Sequence, residues 1–135
     1  MSYPIATIEG IGPVYSDKLK KAGIRTTAAL LTRAKDPKGR KEVAAAADID
    51  ETLILKWANM ADLMRIKGVG EEYSELLEAA GVDTVKELRH RNAANLTKAM
   101  VEANGKRKMV RLLPSLSAVT KWVEQAKALP PMMTY

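Results

Sequence analysis

Apolar positions along the chain fall on helical spacing and nowhere alternate with period two, so the pattern predicts helices and no strand. Tyr15, Leu19 and Ala22 form one three-to-four stripe, and Tyr73, Leu77 and Ala80 form another. Each stripe follows a Gly-aliphatic-Gly turn, Gly10-Ile11-Gly12 or Gly68-Val69-Gly70, and ends at Gly23 or Gly81, which reads as a left-handed cap. In these turns the glycines are expected to take backbone angles closed to other residues, with Ile11 and Val69 pointing into the core. Thr26 and Thr84 start the next helices, and Thr84 is the firmer start because Glu87 completes a capping box. Asp36-Pro37 reads as an N-cap with proline at the first helical position, leading into the alanine-rich Glu42 to Ala47. Asp50 caps a helix from Glu51 to Met64 that enters the second glycine turn. Asn104-Gly105 breaks a later helix, Pro114 with Ser115 or Ser117 opens the last one, and Pro130-Pro131 stops it.

The two glycine turns belong to a duplication. Aligned at an offset of 58, ten of 24 positions are identical, from Ile8/Ile66 through Tyr15/Tyr73 and Gly23/Gly81 to Leu30/Leu88. Ordinary residue usage would give about one or two. Trp57 and Trp122 echo each other at an offset of 65, so the second copy holds seven more residues between its hairpin and its tryptophan. The expected organisation is a first repeat over residues 1–49, a second over 50–129 with its leading helix, and a tail over 130–135. Aromatics recurring at equivalent positions behave as core, so Tyr15, Trp57, Tyr73 and Trp122 are expected to be largely buried.

Charge changes the picture in two ways. The net charge is +6, with 22 basic and 16 acidic residues, and it is unevenly spread. Residues 1–34 carry +3 and 93–135 carry +5, whereas 35–62 and 63–92 each carry −1. Such a distribution fits either a solvated surface or an anionic partner. The densest basic region is Lys106, Arg107, Lys108 and Arg111. The two equivalent hairpin helices also differ in sign: Lys18, Lys20 and Lys21 against Asp17 in the first, Glu71, Glu72, Glu75 and Glu78 in the second.

Composition removes other classes. The chain contains no cysteine, which excludes disulfides, iron-sulfur clusters and thiol catalysis. The single histidine, His90, lies between Arg89 and Arg91 in a field that disfavours a divalent cation. Asp48, Asp50 and Glu51 read as a helix start rather than a Mg²⁺ site. With no nucleophile, base and metal constellation, the expectation is a protein without metal or cofactor that is not an enzyme. No apolar run is long enough for a membrane span, and the opening residues lack the features of a secretory signal, so the expected location is the cytoplasm.

Gly10-Ile11-Gly12 and Gly68-Val69-Gly70, each followed by leucine and then Ala-Gly, resemble the helix-hairpin-helix motif. The whole chain is similar to an uncharacterised family of bacterial domains of unknown function built from two such units, particularly across Asp62 to Gly70. The resemblance implies an all-α fold, with two tandem helix-hairpin-helix repeats related by pseudo-twofold symmetry in one compact helical body. It also implies sequence-independent DNA binding, with a backbone phosphate received by the turn amides and the following helix N-terminus. On this reading the nucleic-acid-binding residues are Gly10, Ile11, Gly12, Lys18, Lys20, Lys21, Lys106, Arg107, Lys108 and Arg111, with Gly68, Val69 and Gly70 as the second hairpin. Pro13 removes one amide from the first turn, and Glu71 and Glu72 would repel a phosphate at the second. The alternative is a protein-protein scaffold or adaptor assembling through complementary basic and acidic hairpin helices, in which exposed Glu71, Glu72, Glu75 and Glu78 contact a basic surface of a second copy (self-association) or of another protein.

Overall fold

Helix-start residues divide the chain into short elements. A computed structural model describes residues 2–135. A 3-10 turn at Ile5–Thr7 precedes α1 (Pro13–Lys21), α2 (Thr27–Ala34), α3 (Pro37–Ala47) and α4 (Glu51–Leu63). Then come α5 (Glu71–Ala79), α6 (Val85–Leu88), α7 (Ala93–Lys106) and α8 (Leu116–Ala128). Among the described residues there is no strand; the extended segment at Pro4 forms one isolated antiparallel bridge with Thr26. The fold is all-helical, and no helix is long and apolar enough to cross a membrane.

Caps explain most of these boundaries. Asp36 Oδ1 accepts the Gly39 amide at 2.7 Å, with Pro37 at the first helical position as expected. Asp50 Oδ1 accepts from Thr52 at 2.7 Å, and Ser115 Oγ accepts from Ala118 at 3.1 Å. Asn104-Gly105 does not break α7, which runs on to Lys106. Instead the Asn104 side chain closes the helix end by accepting the amides of Met109 and Val110 at 2.8 and 3.1 Å. Thr26 is the better of the two threonine caps, accepting from Ala29 at 3.1 Å against 3.3 Å for Thr84 and Glu87. The Glu87 carboxylate, expected to accept the Thr84 amide, accepts the Asp83 amide instead, one residue before the box position. The helix that Thr84 opens has four residues, because Asn92 starts α7 soon afterwards by capping Asn95.

Apolar burial gathers into two adjoining cores. In the first, α2, α3 and α4 pack together and α1 closes one side, around Leu19, Ile24, Leu30, Val43, Ile54 and Trp57. The second is built by α5 on α7, α7 on α8 and α6 on α8, around Val69, Leu77, Leu88, Leu96, Val119 and Trp122. Helix α4, expected as the leading helix of the second repeat, gives Trp57, Ala58, Met60 and Ala61 to the first core and Leu63 to the second. Trp57 and Trp122 are 1% and 4% exposed, while Tyr15 and Tyr73 are only partly covered. Each tyrosine packs on its tryptophan, at centroid distances of 5.1 and 5.2 Å.

Residues 130–135 return to the first core. Met133 is buried there, Arg65 Nη2 donates to the Pro130 carbonyl at 2.8 Å, and Thr134 N–H donates to Lys35 O at 2.8 Å. The buried Arg40 guanidinium donates to the carbonyls of Ala34 and Thr134 at 3.1 and 2.7 Å, which satisfies a charge that burial would otherwise penalise.

Candidate nucleic-acid interface

Both glycine turns have the same internal geometry. Ile11 N–H donates to Ile8 O and Val69 N–H to Ile66 O, each at 3.1 Å, while Gly10 and Gly68 hold φ of +93° and +96°. Ile11 and Val69 are buried, as expected. The second glycine of each turn departs from expectation. Gly12 and Gly70 have φ of −79° and −100°, open to any residue, and a Cβ on either would meet nothing within 4 Å. Each is the N-cap of its hairpin helix and contributes no side-chain cap.

Around the first turn, Gly10, Gly12, Pro13 and Val14 are exposed, Val14 by 68%. The first turn of α1 contains no acidic residue. Lysines that the sequence grouped as one patch are separated by their partners. Lys18 Nζ donates to the Asp48 carbonyl at 3.0 Å and lies 3.8 Å from its carboxylate, and Lys21 pairs with Asp17 at 3.1 Å. Lys20 is exposed and unpaired among the described residues.

Around the second turn the chain fills its own site. Gln125 accepts the Lys67 amide at 2.9 Å and donates to the Lys67 carbonyl at 3.2 Å, tying the turn to α8. Gly68 faces the Trp122 indole nitrogen, 3.2 Å from where a Cβ would stand. Glu71 and Glu72 occupy the first turn of α5. Burial pushes the Glu71 carboxyl above the usual glutamate range, and the neighbouring charges of Glu9, Glu72 and Glu75 add to the shift.

The acidic face is not the uniformly exposed surface expected from the sequence. Glu72 alone is exposed, whereas Glu71, Glu75 and Glu78 are partly covered. Glu75 forms an ion pair with Arg107 of the same chain, which withdraws that arginine from the basic cluster. Lys106, Lys108 and Arg111 remain exposed and unpaired among the described residues, and His90 is exposed. No three His, Cys, Asp or Glu side chains there gather as a metal ion would require.

Two features had no sequence signal. Asp62 is a fully buried carboxylate that accepts from Arg65 Nη1 and from the Val85 amide, both at 2.8 Å. Leu112, Leu113 and Leu116 stand exposed at the α7–α8 link.

A family model described as Domain of unknown function (DUF4332) matches residues 9–129. The chain belongs to that family. Neither the curated proteins nor the solved structures provide a match.

Proposed function

We propose that this chain is a non-catalytic binding module of two helix-hairpin-helix units, related by a pseudo-twofold axis, that holds duplex DNA by its phosphates without reading sequence. The supporting observation is Gly12. Its φ is ordinary and the space for a Cβ is open, so folding alone does not call for glycine. Serine or aspartate would fit and would cap α1. Glycine instead leaves the first-turn amides uncapped and their approach clear, at the positive end of a helix that a phosphate oxygen can reach. The second turn carries Glu71 and Glu72 and is bound to Gln125, so on this reading it braces the fold while the first turn meets the ligand. Lys20, Lys106, Lys108 and Arg111 add attraction by charge.

Assembly through the acidic hairpin helix has less support. Glu75 already has a partner in Arg107, and only Glu72 of the four glutamates is freely exposed.

Fluorescence anisotropy with a labelled duplex, across a salt series, tests the DNA reading. About three phosphate contacts would give a log-log salt slope near −3. Gly12→Asp should cap α1, leave the melting temperature equal or higher, and weaken binding by roughly tenfold or more through its carboxylate. Gly70→Asp should leave binding within about twofold, since carboxylates already stand at that helix start. Affinity indifferent to salt, or unchanged by Gly12→Asp, would sink the reading.

A further inference from the structure

The second copy has gained seven residues between its hairpin and Trp122, and its α7–α8 link runs over residues 107–115 where the α3–α4 link runs over 48–50. The link from α7 to α8 crosses Tyr73, whose hydroxyl donates to the Leu112 carbonyl at 2.9 Å. Leu112, Leu113 and Leu116 project from it with exposures of 76%, 37% and 52%. Beside them runs a groove floored by Trp122 and Ala118 and walled by Gly68 and Pro114, with two adjoining cavities of about 420 and 470 Å³. Clustered large aliphatics beside a concave aromatic floor mark a contact surface rather than a solvated one.

The rim identifies the occupant's chemistry. No carboxylate lines either cavity, while Lys67 and Lys121 border one of them, unpaired among the described residues. The α8 N-terminus opens into the same groove at Ser115, with no acidic residue in its first turn. All the formal charge there is positive, and the helix end adds to it. We infer that this groove docks a short segment of another protein in which a large apolar side chain is flanked by aspartate or glutamate. The apolar side chain seats over Trp122 beside Leu112 and Leu113, and the carboxylates meet Lys67 and Lys121. Apolar contact supplies the affinity and charge selects the partner. This surface is separate from the Gly12 turn, so either proposal can fail alone.

Selection of a random twelve-residue peptide library on the intact protein tests the inference. The expected consensus is an aromatic or aliphatic residue beside two or more acidic ones. Synthetic peptides of that consensus should lose about tenfold in affinity on Leu112→Ser with Leu113→Ser, and about as much on Lys67→Glu with Lys121→Glu. All four positions are exposed, so circular dichroism and the melting temperature should not move. Gly12→Asp should leave peptide binding intact. Selected peptides without acidic enrichment would overturn the inference, as would binding unaffected by either pair of substitutions. Sedimentation showing a second copy seated on these leucines, or a single-stranded oligonucleotide displacing the peptide, would also reject it by assigning the groove to another occupant.

Discussion

The chain solves one local problem in two ways at positions 58 residues apart. After each hairpin helix, the backbone amide that follows the threonine cap is buried and needs an acceptor. In the first half this is Thr27, whose amide donates to the Tyr3 carbonyl at 2.9 Å while Thr27 Oγ1 accepts the Tyr3 amide at 3.1 Å. In the second half it is Val85, whose amide donates to the buried Asp62 carboxylate at 2.8 Å. Pro4 and Asp62 occupy equivalent positions at that offset. One half uses an extended piece of backbone, and the other uses a charged side chain locked by Arg65. A backbone acceptor survives most substitutions of its neighbourhood, whereas a side-chain acceptor is lost with one.

The largest contrast should therefore come from Asp62→Ala, which leaves the Val85 amide and the Arg65 guanidinium without their acceptor and should cost about 3 kcal/mol. Pro4→Ala keeps the Tyr3 carbonyl and should cost less than about 0.5 kcal/mol in the same denaturant titration. Equal losses would mean that the two solutions are not interchangeable in the way the geometry suggests.

Gly68→Ala and Gly10→Ala come next. Both force an L side chain into positive φ, for about 1–2 kcal/mol each. The new methyl would stand 3.2 Å from the Trp122 indole nitrogen in one case and 3.5 Å from that of Trp57 in the other, so Gly68→Ala should be the more damaging. Thermal melts of the pair measure that order directly.

Removing the tyrosine hydroxyls gives a smaller difference. Tyr73→Phe deletes the bond to Leu112 O and should cost about 0.5–1 kcal/mol, whereas Tyr15 makes no side-chain hydrogen bond among the described residues and Tyr15→Phe should be neutral.

The smallest effect concerns pH. Burial raises the Glu78 carboxyl above its ordinary value of 4.5, opposed by Lys56 and reinforced by Asp83 and Glu75. A raised folded-state pKa means that the group favours the fold when protonated, and that this contribution is lost as pH rises through the raised value. Glu78→Gln should accordingly raise the melting temperature slightly at neutral pH, with the gain vanishing below the ordinary glutamate range. A gain that persists in acid would assign the effect to packing instead.

What could be read from the sequence was local. Helix starts at Asp36, Asp50, Thr26, Thr84 and Ser115 are chosen by side chains bonding two or three residues ahead, so residue type and spacing reveal them. The glycine turns were visible for the same reason, but the motif does not say which glycine carries the positive φ. Only Gly10 and Gly68 do. The candidate site was less visible because its partners are distant in the chain. Lys18 finds Asp48 30 residues away, Arg107 finds Glu75 across 32, and Lys67 finds Gln125 across 58. The first two pairings each remove a member from a patch that looked uniform in one dimension, and the third, through the Lys67 backbone, ties the second turn to α8. The exposed leucines were hidden for a related reason, since residue type alone does not say whether an aliphatic side chain finds a core to enter.

The return of residues 130–135 to the first half also affects how the molecule can be made. Arg40 bonds a carbonyl 94 positions later, and Lys35 bonds an amide from the same residue, Thr134. During synthesis the first core can collapse once α4 has left the ribosome, but it lacks Met133 until nearly all of the second half has followed. Residues of the first half are thus covered by residues that follow the whole second half. Contacts of such long sequence separation form slowly, because the intervening loop must close first. Burial of Met133 in the first core therefore couples the packing of that core to residues at the far side of the second half.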